Sequence, residues 1–252
     1  MTIPKISIIT VVYNSAPLLP ITISSVEAVK SESVEWVVID GTSTDDSLEI
    51  IKSTGSLADV VISEPDKGIY DAMNKGLKAA SGEYVIFINA GDEIRKPAVD
   101  KIFRENIETD IIYGDTMFVD NARNEMGLRS SFTSRPLPKV LSLAAFSMGQ
   151  AISHQAFFMK RTLSQPYDLR YRISADYEWM VAGIKCSSSF CNLELPVANF
   201  LYGGVSKQQQ KKALKERFRI MLTHYGVAWT VWSHAKIILR GVLFYAKNRR
   251  MD

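Results

Sequence analysis

The chain has 252 residues, of which 46% are hydrophobic and 23% charged, with a formal net charge of +3 at pH 7. That is enough chain for one domain with a large core, or one domain with an appendage, and the composition excludes a disordered protein. The charge is uneven: residues 207–252 hold eleven Lys or Arg against two acids, a net of +9, which leaves 1–206 at −6. The last fifth is therefore a different kind of surface.

The opening MTIPKISIITVVYN has no basic segment followed by an apolar run and a small-residue cleavage site, so no secretory signal is expected and the protein is read as cytoplasmic. Apolar, β-branched runs at 6–12 (ISIITVV), 34–39 (VEWVVI), 59–62 (DVVI) and 84–88 (YVIFI) are short and closed by turn or polar residues, as buried strands are. Helix-like stretches lie between them at about 16–30, about 44–53 and 69–80, the last closing on Ser81-Gly82. The alternation predicts an α/β fold, a mostly parallel sheet with helices on both faces, whose ligands bind outside the carboxyl ends of the strands. Cys186 and Cys191 stand five apart without His partners; they fit neither a zinc site nor a disulfide framework and are expected to be reduced core cysteines.

Each predicted strand ends in polar residues: Tyr13-Asn14, Asp40-Gly41-Thr42-Ser43, Glu64-Pro65-Asp66-Lys67-Gly68 and Asn89-Ala90-Gly91-Asp92. Any one of these reads equally as turn chemistry, and Thr44 or Asp45 as a helix N-cap. Four consecutive ends on one rim favour a site. No G-x-G-x-x-G follows the first strand and no G-x-x-x-x-G-K-[ST] occurs, which excludes the two familiar phosphate loops. The usual substitute is an acidic group that binds a divalent cation, which in turn binds a diphosphate.

The segments ISIITVVYN, VVIDGTSTDDS and EPDKGIYDAMNKGLKAASGEYVIFINAGDE resemble the nucleotide-binding half of bacterial family 2 glycosyltransferases, most of all the branch that builds exopolysaccharides such as colanic acid. The likeness resumes in ISHQAFFMKR, RISADYEWM and GGVS. It implies the GT-A fold, an inverting transfer from a nucleotide-diphosphate sugar, and a Mg²⁺ or Mn²⁺ ion. By the same resemblance, Tyr13 and Asn14 fall where the nucleotide is wrapped. Asp40, with Ser43 beside it, falls where a carboxylate accepts from the base. Asp66 and Lys67 match the segment that closes over the nucleotide, with Tyr70 and Asn74 behind them. Asn89 and Gly91 stand where many relatives have acids, so Asp92 is the candidate metal ligand and Glu93 the weaker one. Mg²⁺ is compatible with one carboxylate plus diphosphate oxygens.

The chemistry also needs a base for the acceptor hydroxyl. Asp176, at the start of a predicted helix, matches the family's base, with Ala175 where relatives often have Glu. Glu178 is two residues on and would point away from it. His154 and Gln155 match a pair beside the acceptor and diphosphate, and Gly204 lies in a loop over the donor; a buried core histidine and a plain turn are the competing readings.

The sequence is thus read as a glycosyltransferase domain over 1–206 (nucleotide-sugar half 1–95, acceptor half 96–206) with a basic amphipathic helical tail over 207–252. The expected partners are a nucleotide-sugar donor and a lipid-linked saccharide acceptor, with no nucleic acid. A catalytically inactive nucleotide-sugar-binding protein is the alternative, and a sugar nucleotidyltransferase is disfavoured by the missing phosphate loop. In the tail, Lys236, Arg240 and Lys247 plot on one helical face, with Val231, Ile238, Val242 and Tyr245 opposite, flanked by Trp232 and Leu239. No run approaches the roughly 20 residues of a membrane span. The pattern predicts a helix lying on the anionic inner face of the bacterial cytoplasmic membrane.

Overall fold

A computed structural model describes residues 5–202 and 209–248, with side chains in the last helix described as far as Arg240. The first four strands are β1 (Ile6–Val12), β2 (Val34–Asp40), β3 (Val60–Ser63) and β4 (Tyr84–Phe87). β1, β2 and β4 are buried at every position, which is why their sequences run apolar without alternating. The exposed-side alternation of β3 marks it as the edge. All four pair in parallel in the order β3-β2-β1-β4, so their carboxyl ends do share one rim.

The connecting helices α1 (Leu19–Glu27), α2 (Ser47–Ser53) and α3 (Ile69–Ala79) are shorter than the sequence pattern suggests at two starts. Proline is tolerated only in a first turn, and Pro20 occupies that place in α1, so the helix cannot extend back to 16. Residues 44–46 are held in a loop against the end of β1 instead of opening α2. In α3 the buried face is Tyr70, Ala72, Met73 and Gly76. A Cβ on Gly76 would lie 2.4 Å from Ile9 Cγ2, so only glycine allows α3 to seat this closely on β1.

The second half is β5 (Glu93–Ile94), α4 (Lys96–Arg104), β6 (Ile111–Val119), β7 (Glu125–Leu128), α5 (Arg129–Phe132), α6 (Leu143–Phe146), β8 (Phe157–Lys160), α7 (Ala175–Cys186) and β9 (Phe190–Leu201). The sheet continues from β4 as β8-β6-β9-β5, with β7 on β6. β8 runs antiparallel between β4 and β6, while the long β6–β9 ladder is parallel. The fold is therefore a mixed α/β sheet, mostly parallel, as the alternation predicts. Cys186 is exposed and Cys191 half-buried, both free, which corrects their reading as core residues: one ends α7 and the other opens β9, where the sheet is partly uncovered.

Two helices follow, α8 (Gln210–Tyr225) and α9 (Val227–Asn248). α8 is built into the body through buried Ala213, Glu216, Ile220 and Met221. α9 turns its polar side inward: Thr230 and Ser233 are fully buried and Arg240 Nη2 donates to the Met148 carbonyl at 3.3 Å. Val231, Trp232, Ile238 and Leu239 stand exposed. Arg240 thus does not belong to a free cationic face, and the described part of the apolar face, Val231 to Leu239, is not packed on the domain. The side chains of Val242, Tyr245 and Lys247 lie outside the described residues.

Gly114, inside β6, sits where the β6–β9 register shifts, and a Cβ there would fall 2.4 Å from the Leu195 carbonyl oxygen. Backbone cannot yield as a flexible side chain does. Gly114→Ala should lower stability by about 1–3 kcal/mol, read as a lower denaturant midpoint with unchanged slope; an unchanged midpoint would show that the ladder absorbs the extra atom.

Candidate active site

The rim begins with two loops clasped together. Asn14, in a left-handed conformation (φ 46°), accepts from Thr44 N–H through Oδ1 at 2.8 Å, and its own N–H donates to Ser43 Oγ at 2.9 Å. Ala16 N–H donates to Asp45 Oδ2 at 3.0 Å and Ser15 N–H to Ser47 Oγ at 2.8 Å. Thr42, β-branched, is also left-handed (φ 61°); such strain costs on the order of 1–3 kcal/mol and persists only where the surroundings impose it. The fully buried carboxylate of Asp40 accepts from Ser43 Oγ at 2.5 Å and Ser63 Oγ at 2.6 Å, with Ser43 N–H at 3.2 Å. Above this floor the Tyr13 ring is 62% exposed, free to cover a ligand.

The third strand end closes onto the second. A Cβ on Gly41 would lie 2.3 Å from Asp66 Oδ2, so the glycine is what lets Asp66 approach. Asp66 Oδ1 also accepts from Gly68 N–H at 2.7 Å. Lys67 has an exposed side chain, and its carbonyl accepts from Arg172 Nη1 at 2.6 Å. Asn74 stands back from the rim: its amide donates to the Tyr167 carbonyl at 3.1 Å and accepts from the Tyr167 N–H at 2.6 Å, so it anchors a second segment instead of facing the opening.

At the end of β4 the chain makes a tight turn, Asp92 N–H donating to the Asn89 carbonyl at 2.9 Å. Gly91 takes φ 96° there, the positive φ for which such turns require glycine. Thr22 locks the turn, donating to the Asp92 carbonyl at 2.8 Å and accepting from Gly91 N–H at 2.9 Å. Asp92 is buried and Oδ2 accepts from Gln155 Nε2 at 2.9 Å. Burial pushes its carboxyl up to about 7, against the bond from Gln155. Glu93 is otherwise engaged, 3.6 Å from Arg123 and accepting from Asn199 at 3.2 Å. Among the described residues no group of three or more His, Cys, Asp or Glu could hold a metal. Asn89 Oδ1, however, is buried without a hydrogen-bond partner. One carboxylate and one unpartnered amide oxygen on the same turn fit a Mg²⁺-type ion that takes its remaining ligands from a diphosphate and water.

His154 and Gln155 precede β8 in a short 3-10 turn. His154 is buried, its Nε2 2.6 Å from Tyr167 Oη, and stacked on Phe87; burial holds its pKa down at about 4, so the ring is neutral at physiological pH. Tyr167 in turn stacks on Tyr70, whose hydroxyl donates to Asp176 Oδ1 at 3.2 Å. Burial and the Asp176 charge hold the Tyr70 phenol protonated. Gln150 Nε2 approaches Asp176 Oδ2 at 3.3 Å. One continuous set of contacts thus joins Asp92 through Gln155, His154, Tyr167 and Tyr70 to Asp176. The structure brings Tyr13, Asn14, Asp40, Ser43, Asp66, Lys67, Asn89, Gly91 and Asp92 to the strand-end rim and links Asp176 to it; Gly204 lies outside the described residues. Sequence reasoning missed Tyr167, Gln150 and Thr22, which carry no motif.

The chain is similar to known glycosyltransferases in sequence and in fold. The glycosyl transferase family 2 model matches residues 7–166. A PGL/p-HBAD biosynthesis glycosyltransferase of Mycobacterium tuberculosis is 28% identical, over 99% of this chain and 100% of its own length. An uncharacterized glycosyltransferase of the same species is 30% identical over 98% of this chain and 94% of its own. Among solved structures, S. aureus TarS in complex with UDP-GlcNAc is similar with a TM-score of 0.69 at 17% identity, covering 95% of this chain and 73% of that one. The mannosyltransferase PcManGT from Pyrobaculum calidifontis, in complex with GDP-Man and Mn²⁺, gives 0.62 at 15% identity over 98% and 80%. At these identities the structures establish the GT-A fold.

The support of Asp176 comes from an unexpected place. Arg172, Ile173 and Ser174 N–H groups, on the approach to α7, all donate to the buried Glu216 carboxylate of α8 at 2.9–3.0 Å. Glu178 pairs with His224 of α8 at 3.1 Å, the structural role its spacing suggests. Glu216→Ala would leave those N–H groups without their acceptor and should destabilise by about 3 kcal/mol. A thermal melt checks this; a loss below about 0.5 kcal/mol would mean α8 does not brace the segment.

Proposed function

We propose, from the premise that this chain belongs to glycosyl transferase family 2, that it transfers a sugar, with inversion, from a nucleotide-diphosphate sugar to a hydroxyl of a lipid-linked saccharide in surface polysaccharide assembly. The observation that carries this reading is the linkage of two carboxylates, Asp92 at the strand-end rim and Asp176 at the start of α7, by one chain of buried contacts. The first suits a leaving diphosphate and the second an attacking hydroxyl. The donor's base would lie between Tyr13 and Asp40. Three donors already sit on the Asp40 carboxylate, which leaves room for one more. Asp66 and Lys67 would close over the nucleotide.

A divalent ion, Mg²⁺ or Mn²⁺, would be held by Asp92 and Asn89 with the diphosphate; when bound it supplies the charge that offsets the leaving group. Asp176 accepts hydrogen bonds from Tyr70 and Gln150, which fix its orientation for proton transfer. It takes the acceptor's hydroxyl proton as oxygen bonds to the anomeric carbon and the bond to the diphosphate breaks.

Asp92→Ala should weaken metal-dependent binding of the donor. Asp176→Asn should leave donor binding intact and reduce turnover about 10²- to 10⁴-fold; equal loss of binding in both would sink the assignment. Asp92 binds its proton more tightly folded than unfolded. In the ligand-free protein its contribution to stability is therefore present below pH about 4 and lost as pH rises towards about 7. Metal binding needs the deprotonated form, so Mn²⁺-dependent nucleotide affinity should fall as pH drops below about 7, and pH-independent affinity between 5 and 8 would remove Asp92 from that role.

Contact with the inner face of the cytoplasmic membrane is proposed through α9. No described helix is long and apolar enough to cross a membrane. The outward face carries Val231, Trp232, Ile238 and Leu239, with Lys236 over the Trp232 ring at 3.7 Å, the make-up of a helix lying in the interface. Deleting the chain after Ser206 would also remove Glu216, so point variants are the sound test. Trp232→Glu combined with Leu239→Glu, both exposed, should abolish flotation with anionic liposomes while leaving the melting temperature unchanged; undiminished flotation would exclude α9 as the contact.

A further inference from the structure

Behind Asp176 the segment 148–151 is ringed by four guanidinium groups from four parts of the chain. Arg129, opening α5, donates to the Ala151 carbonyl at 2.7 Å and the Gln150 carbonyl at 2.8 Å. Arg217 of α8 donates to Gln150 Oε1 at 3.3 Å, and Arg240 of α9 to the Met148 carbonyl at 3.3 Å. Arg135 lies against Gly149, where a Cβ would fall 2.7–2.9 Å from its guanidinium atoms.

Four cations gathered in a partly desolvated place call for anions. Among the described residues none of the four forms an ion pair; Asp115 favours the charge of Arg129 only at a distance. Burial and mutual repulsion press Arg129 down to about 10 and Arg135 to about 9. Arg135 Nη1, Arg217 Nε and Arg240 Nε are buried with no acceptor. If the cluster were only a clamp on residues 148–151, carbonyls would suffice and these three donors would not be left over. The surplus is positive charge and N–H groups, which is what a phosphate accepts, commonly in paired bonds from arginine.

We propose that Arg129, Arg135, Arg217 and Arg240 form a binding site for the phosphate or diphosphate group of the acceptor. This rests on the glycosyltransferase reading and gives its acceptor a chemical class, a phosphoester. Gln150 connects the two functions, its amide nitrogen on Asp176 and its amide oxygen on Arg217, so an anion in the cluster sits one side chain from the base. The lipid-linked form is favoured over a free phosphate because α9 supplies both ends: Arg240 inward and an exposed apolar face outward.

The test uses the full chain saturated with UDP or GDP, whichever raises its melting temperature, and Mg²⁺, so that the donor's diphosphate site is filled. Geranyl diphosphate, inorganic pyrophosphate and geraniol are then titrated by calorimetry. Geranyl diphosphate should bind and geraniol should not; pyrophosphate binding as tightly would support the anion site but assign it to phosphate alone, with no lipid contribution. Arg135→Gln and Arg217→Gln should each weaken geranyl diphosphate about tenfold, as for one lost charge-assisted hydrogen bond, with nucleotide affinity within twofold of the parent. Removing surplus cations should leave the melting temperature of the ligand-free protein unchanged or raised; a lower melting temperature together with unchanged probe affinity marks a structural clamp and overturns the proposal. So does failure of both anions to bind the nucleotide-saturated parent. Nucleotide binding itself reports on the donor reading separately: if neither UDP nor GDP binds, that reading has failed, and the anion titration is run on the ligand-free chain with the same criteria.

Discussion

The structure depends on a carboxylate that has been taken out of water. Asp92 closes the fourth parallel strand, and Gln155, 63 residues on, meets its side chain with an amide donor at hydrogen-bond distance, with the Leu201 main-chain N–H adding a second bond. Leaving a buried carboxylate unpaired is costly enough that the chain around it must be fixed. Thr22 of α1 fastens the turn from one side, and the short segment before β8 supplies Gln155 from the other. The same segment carries His154, which through Tyr167 and Tyr70 reaches Asp176. The second half of the molecule is thereby registered on the first by a polar contact. A site that holds a highly charged donor gains from this arrangement, because a carboxyl raised by burial to about 7 is only partly ionised near neutral pH in the empty fold, and a bound cation favours its charged form.

The other strain in the rim follows the same logic. Asn14 and Thr42 occupy left-handed conformations side by side at the ends of β1 and β2, tied by bonds between the two loops. Such conformations persist when parallel strands fix the loop ends and leave the tips no relaxed alternative. The result is a set of polar groups held in place by the sheet before any ligand is bound.

The nucleotide half was legible because three of its four strands are buried on both faces and its helices are punctuated by Gly, Ser and Pro; short apolar runs and turn residues in alternation mark the existence of such units better than their boundaries. Asp92 and Asp176 could be singled out only through a family resemblance, since an Asp at a turn or a helix start is ordinary on its own. What the sequence could not reveal was long-range polar pairing. Asn74 looks like a rim residue one turn behind Tyr70, yet both ends of its amide are engaged by the main chain of Tyr167, 93 residues away. Glu216 stands in a basic stretch, KKALKERFR, where it reads as a lone helix-surface acid; three main-chain N–H groups 42–44 residues earlier make it a buried brace. Neither pairing leaves a periodic trace in the sequence.

The same blindness applies to the charge of the tail. Counted along the chain, residues 207–252 present a net of +9, which suggests adhesion by electrostatics alone. In the fold, Arg217 and Arg240 point into the body around residues 148–151 instead of outward with the exposed apolar face of α9. The cations left outside on the described part of α8 and α9 include Lys211, Lys212, Lys215, Arg219 and Lys236, and only Lys236 lies on the helix that carries the exposed apolar face. Each basic residue near an anionic leaflet contributes about 1 kcal/mol and is screened by salt within a Debye length, whereas burying Trp232, Ile238 and Leu239 in the interface is insensitive to salt. The proposed membrane contact must then rest more on its aromatic and aliphatic residues than on charge. Two of the arginines whose count first suggested adhesion lie instead behind Asp176, the proposed catalytic base.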